Sequence, residues 1–154
     1  MFNNYGDCVV LRDSDPGAVY AMTSTLRIPI INAGNGIDEH PTQAMADLFT
    51  IFKWRPKLAE ADVAPSDRIR IGIVGIPSRM RTVRSLLRIL AKFPRAVDEV
   101  VVIHAPGLEP DQPLFDPGQL EELEACGMKV RSSTDLQAEV PDLDVVYICL
   151  LYTS

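Results

Sequence analysis

His40, Pro41, Thr42 and Gln43 place two neutral hydrogen-bonding side chains on the first turn of a helix. The first backbone N–H groups of a helix have no intrahelical partner and the macrodipole is positive there, so a phosphate or a polarised carbonyl is favoured at that end. Pro41 suits the first helical position, which makes His40 the cap and Gln43 the third helical residue. The plainer alternative is a histidine that only satisfies the helix backbone. Gln43 could likewise fold back on the cap N–H as half of a capping box, but His40 is not the Ser or Thr that completes one. A ligand within reach of both side chains accounts for both residues.

Two arginines could serve the same ligand. Arg12 closes a short apolar run, and parallel sheets open their crevices at strand ends. It is either an ordinary solvated arginine or a fixed cation for phosphate or a developing oxyanion. Helical stepping puts Arg81, Arg84, Arg88 and Lys92 on one face, opposite Met80, Val83, Leu86, Leu87 and Leu90. A solvated basic face suits Arg84, Arg88 and Lys92. With Ser78 as the cap, Arg81 falls in the first turn, where the dipole disfavours a cation by roughly 0.3–1 kcal/mol. An anion would offset that, and a carboxylate forked by guanidinium is the natural one.

Other chemistries fit less well. Residues 72–78 follow a strand and precede a helix, but after Gly75 the later glycine positions of a dinucleotide loop hold Pro77 and Met80. The next strand ends in His104 rather than an acid. Two distant histidines and three scattered cysteines make no metal ligand set, and no cofactor is expected. No Ser–His–Asp pairing stands out.

The elements that position these residues follow from patterning. A buried strand is expected at 8–11, a helix at 18–25 and a strand at 28–33, with Gly34, Asn35 and Gly36 as the turn toward His40. A helix at 41–54 would bury Ala44, Met45, Leu48, Ile51 and Phe52. The polar stretch 55–67, with Pro56 and Pro65, reads as a linker between domains. Beyond it come strand 69–74, helix 79–93, strand 99–104, helix 117–126 stopped by Gly127, strand 128–131 and strand 144–150. The alternation means an α/β fold, with parallel sheets flanked by helices.

Composition bounds the partners. The 154 residues are 47% apolar, enough for a real core. A net charge of −6 has the wrong sign for a polyanion binder, so nucleic acid is not an expected partner. Cys8, Cys126 and Cys149 sit among apolar neighbours and read as buried thiols in a reducing compartment, the cytoplasm. No charged-then-apolar leader opens the sequence, and the apolar run 145–152 is far shorter than the roughly 20 residues that span a bilayer. Neither secretion nor a membrane partner is expected.

The segments INAGNGIDEHPTQAMADLFTI (residues 31–51) and RTVRSL (residues 81–86) resemble the signatures of the aspartate carbamoyltransferase catalytic chains. The likeness runs from about Asp7 to Tyr147. His-Pro-Thr-Gln is shared with ornithine carbamoyltransferases, whereas the Ala-Gly-Asn-Gly turn and the Arg-Thr-Val motif favour the aspartate branch. The resemblance implies that residues 1–54 are the end of a carbamoyl phosphate domain, 55–67 a linker, and 68–154 the first half of a Rossmann-like aspartate domain. It implies that Arg12 and His40 hold the carbamoyl oxygen and stabilise charge on it, that Gln43 accepts from the carbamoyl amino group, and that Arg81 grips an aspartate carboxylate.

The implied substrates are carbamoyl phosphate and L-aspartate, giving carbamoyl aspartate and phosphate in pyrimidine biosynthesis, without a cofactor. A complete chain would form a homotrimer, with any regulatory chain left open. The family's Ser-Thr-Arg-Thr phosphate loop and lysine loop, its His-Pro-Leu-Pro segment and its arginine loop have no counterpart in the 154 residues, which imply a partial chain. Asp13 stands where the family has histidine, residues 76–80 replace its Asp-Leu-Lys-Tyr-Gly loop, and residues 149–154 leave its pattern. Alternatives are an ornithine-type or other amino-acid carbamoyltransferase, a non-catalytic anion-binding relative, or an inactive fragment.

Overall fold

The computed structural model describes residues 2–107 and 113–148. A small parallel sheet comes first. β1 (Val9–Asp13) leads through α1 (Ala18–Thr23) to β2 (Ile30–Asn35) beside it. Val10 lies opposite Ile31, and a bulge then brings Asp13 opposite Asn35. β1 is not the buried strand expected: its side chains alternate between half-buried and exposed, and Val10 is 65% exposed. Two strands cover each other along one edge only, so one face of this pair stays open among the described residues. For the same reason Cys8, beside β1, is exposed rather than buried; Cys126 is half-buried, and Cys149 lies outside the described residues.

The second sheet has four parallel strands in the order β5-β4-β3-β6. They are β3 (Ile69–Val74), β4 (Val97–Ile103), β5 (Lys129–Ser133) and β6 (Val145–Ile148). The last is the described part of the strand expected at 144–150. Ile71, Ile73, Val100, Val101 and Val102 are fully buried, as unbroken β-branched runs require when helices cover both faces. α3 (Arg81–Leu90) joins β3 to β4, and α4 (Gln119–Ala125) joins β4 to β5. The chain then crosses back to pair β6 with β3. That reversal makes the carboxyl end of β3, where the chain enters α3, a topological switch point.

α2 (Pro41–Trp54) has the bounds that its cap and periodicity predict, and it joins the two sheets. Ala44, Leu48 and Ile51 belong to one buried cluster with Val83, Leu86, Leu87 and Leu90 of α3. Each buried Leu or Val side chain is worth roughly 1.5–3 kcal/mol. Met45, expected in this stripe, is 48% exposed, because the seam runs through residues 44, 48 and 51 and position 45 lies a further 100° round the helix. Phe52 is half-buried and meets Phe93 edge to face at 5.0 Å between centroids. Residues 55–67 form two 3-10 turns, Pro56–Ala59 and Pro65–Asp67, with Leu58 and Val63 buried in the same core.

α3 departs from expectation at its start and on its polar face. Pro77–Arg79 is a separate 3-10 turn, so the cap is Met80 rather than Ser78, whose hydroxyl donates instead to the Pro113 carbonyl at 2.7 Å. The face carrying Arg84 and Arg88 is not simply solvated. α3 has no acid of its own at helical spacing, so partners come from other elements. Arg84 pairs with Asp116 and donates to the carbonyls of Ile37 at 3.2 Å and Asp38 at 2.6 Å. Arg88 pairs with Glu39, which is 6% exposed and also accepts from the Ser85 hydroxyl.

The short helix α5 (Leu136–Glu139) was not legible in the sequence, because four residues carry no periodicity. Arg131 of β5 forks its last residue at 2.7 and 2.6 Å, and that hydrogen bonding holds the Glu139 carboxyl down at about 2. Among the described residues no helix is long and apolar enough to cross a membrane.

Removing the Arg88 charge while keeping its aliphatic stem leaves the buried Glu39 carboxylate with one donor fewer. Arg88→Met is expected to cost about 1.5–3 kcal/mol in urea unfolding. Glu39→Gln combined with Arg88→Met is expected to cost less than the sum of the single changes.

Candidate functional site

Asn35 shapes the loop between β2 and α2. It is fully buried and uses both ends of its amide. Oδ1 accepts from Asn32 Nδ2 at 2.8 Å and from the Glu39 amide at 3.2 Å; Nδ2 donates to the Pro16 carbonyl and to Asp38 Oδ2, both at 2.9 Å. Gly34 and Gly36 have φ of +113° and +54°, where side chains are strained. A Cβ at Gly34 would also lie 2.6 Å from Arg12 Nη1 and 3.4 Å from the His40 ring. The bare backbone at Gly34 is what lets that guanidinium and that imidazole come together over it.

His40 is the helix cap, as expected. Its φ of −139° is non-helical, its Nδ1 accepts from the Gln43 amide at 3.3 Å, and its own amide donates to the Ser85 hydroxyl at 2.9 Å. A backbone N–H can only donate, so the Gln43 contact calls for a lone pair on Nδ1, while the donor-only guanidinium of Arg12 calls for one on Nε2; a neutral ring satisfies one of the two at a time. Nε2 lies 3.3 Å from Arg12 Nη1, which is itself anchored on the Ala33 carbonyl at 3.1 Å. With the ring proton on Nδ1, Nε2 accepts from Arg12; with the proton on Nε2, the two groups are a pair of donors that one acceptor oxygen can bridge at ordinary hydrogen-bond distance. Burial, then the charges of Arg81 and Arg12, lower the proton affinity of His40 below its usual value of 6.5. The site therefore offers a neutral imidazole beside a permanent cation.

Arg81 donates through Nη1 to the Gly36 carbonyl. It has reached the site from α3, and that nitrogen meets a loop carbonyl. Gln43 is the residue whose side chain departs most from the reading of the motif. Rather than folding back to the cap, its Nε2 reaches one turn forward to Asp47 Oδ1 at 2.8 Å. Arg12, His40 and Arg81 thus gather around residues 33–40, with Gln43 on the adjoining turn. None of the four lines the cavity of about 470 Å³ between residues 113–121 and β5.

Sequence reasoning missed Asn35, Glu39, Asp47, Ser85 and the inward roles of Arg84 and Arg88. One signal was available. A helix face with four cations and no acid at helical spacing has to find its counter-charges elsewhere, and Asp38 and Glu39 stand directly before the motif.

Residues 1–53 match the family model described as aspartate/ornithine carbamoyltransferase, carbamoyl-P binding domain. That match holds Arg12, His40 and Gln43. The aspartate carbamoyltransferase catalytic subunit of Methanopyrus kandleri is 34% identical over 145 residues, which are 94% of this chain and 42% of that subunit. Over nearly its whole length the chain is similar to aspartate carbamoyltransferase catalytic subunits. The corresponding subunit of Thermococcus onnurineus is 37% identical over 145 residues, 94% of this chain and 41% of that protein.

The likeness extends to structure. Aspartate transcarbamoylase from Trypanosoma cruzi, in complex with N-(phosphonacetyl)-L-aspartic acid, superposes with a TM-score of 0.76 at 30% identity, covering 99% of this chain and 44% of that one. The parallel sheets flanked by helices are therefore a carbamoyltransferase architecture. The chain spans about two fifths of the length of the curated relatives it matches.

The lowered proton affinity of His40 sets a sign for the pH dependence. Between the folded and unfolded values the unfolded chain binds the proton and the folded chain does not, so stability rises with pH there. A loss of stability is expected to begin as pH falls through about 6.5 and to stop growing below the folded value. Urea unfolding across pH 5–8 should show this acid limb in the native protein and a shallower one in His40→Gln.

Proposed function

We propose that this chain carries the carbamoyl-handling part of a site that transfers a carbamoyl group from carbamoyl phosphate to the amine of L-aspartate. The observation that carries the reading is the approach of His40 Nε2 and Arg12 Nη1 to 3.3 Å over Gly34, two donors once the ring proton sits on Nε2. They suit the oxygen of a carbamoyl group whose charge grows as the amine attacks. The amine lone pair forms the new C–N bond while the carbonyl pair moves onto oxygen; that pair returns as the C–O bond to phosphate breaks, and the nitrogen gives up its surplus proton. With Nδ1 held on the Gln43 amide, the neutral imidazole donates through Nε2, and Arg12 supplies the charge. Gln43 accepts from the carbamoyl amino group. Arg81, facing the loop from α3, holds an acceptor carboxylate.

In this reading residues 1–54 are the end of the carbamoyl phosphate domain, 55–67 a linker, and 68–154 the start of the aspartate domain. A complete chain would work as a homotrimer, in the cytoplasm and in pyrimidine biosynthesis. The half-buried and exposed thiols of Cys126 and Cys8 are compatible with a reducing compartment.

The test is product formation from carbamoyl phosphate offered with L-aspartate and, separately, with L-ornithine. Carbamoyl aspartate is the expected product, with turnover falling about 100-fold in Arg12→Ala. Product with ornithine alone would assign the other branch of the family. Binding of carbamoyl phosphate without any product would favour a non-catalytic relative.

A further inference from the structure

Asp47 lies one helical turn beyond Gln43 and is half-buried. Its two oxygens are divided between two partners. Oδ1 accepts from Gln43 Nε2 at 2.8 Å, and Oδ2 accepts from the Tyr147 hydroxyl of β6 at 2.9 Å. A carboxylate has only acceptors to offer, so the Gln43 amide must turn its NH2 toward Asp47. The amide is planar, and its carbonyl Oε1 therefore occupies the other arm, directed away from Asp47.

We propose that Asp47 is a positioning residue that fixes which end of the Gln43 amide meets the carbamoyl group. This rests on the reading of the site as a carbamoyl phosphate site. With Oε1 presented, the amide accepts an N–H of the carbamoyl amino group; with the amide reversed, donor would face donor. An isolated Gln–Asp pair at helical spacing is worth only about 0.2–0.5 kcal/mol and would leave the amide free to turn. Tyr147 makes the difference here. It comes from the far sheet, 100 residues away in sequence, and holds the second oxygen, so the carboxylate cannot swing round the helix with its partner. The orientation of a group in the first half of the chain is thereby tied to the placement of β6.

Acetyl phosphate, which carries a methyl where carbamoyl phosphate has an amino group, isolates this interaction. Calorimetric dissociation constants for both ligands are measured on the native protein, Asp47→Asn, Asp47→Ala and Tyr147→Phe. Asparagine keeps the shape of Asp47 and can still bond Tyr147, but it can donate as well as accept and no longer dictates the amide. The expected result is that the preference for carbamoyl over acetyl phosphate falls about tenfold in both Asp47 variants, and less in Tyr147→Phe. Acetyl phosphate binding stays at the native level, which also reports that the variants are folded.

An unchanged preference in both Asp47 variants, with native carbamoyl phosphate binding intact, overturns the role of Asp47 alone. Equal weakening of both ligands does the same, because it marks a merely structural residue. A native protein that binds no carbamoyl phosphate overturns the reading of the site, and the role of Asp47 with it.

Discussion

The polar face of α3 closes on the loop that starts α2, and the geometry of the site depends on that closure. The carbonyls of Gly36, Ile37 and Asp38 accept from Arg81 and Arg84, and the Glu39 carboxylate accepts from Arg88 and Ser85. A loop that bends this sharply presents several unpaired carbonyls, and each needs a donor. Guanidinium groups supply donors in a rigid fork, which ammonium groups do not. The loop is consequently gripped from a second sheet rather than shaped only by its own turn residues. The apolar seam between α2 and α3 lies directly beneath and keeps the donors in register.

That grip determines the electrostatics of His40. Its backbone amide is tied to Ser85 on α3, and its Nδ1 is tied to the first turn of its own helix. Burial and two neighbouring cations then oppose a positive charge on the ring. In the proposed reading Arg12 supplies a permanent charge and His40 a neutral donor at a shared oxygen, so the two residues do not duplicate each other. Asp47 extends the same logic to Gln43, using a partner from β6.

Local signals carried much of this. Pro41 after His40 fixed the start of α2, and the β-branched runs of β3 and β4 declared a sheet buried on both faces. His40 as cap, and Arg12 beside it, were readable because each depends on a strand end or a helix end. What could not be read was long-range pairing. Nothing near Arg84 or Arg88 names Asp116 or Glu39, and nothing near Asp47 names Tyr147. Met45 and Val10 misled for a related reason: an apolar residue is buried only if some other element covers its face, and periodicity alone does not identify that element.

The central claim is the protonation state and tautomer of His40. Nitrogen-15 NMR of the imidazole at neutral pH tests it most directly. A neutral ring with the proton on Nε2 and a pyridine-type Nδ1 is the predicted result. A ring protonated on Nδ1, whether as the other tautomer or as imidazolium, would contradict the account, since Nδ1 could not then accept from Gln43.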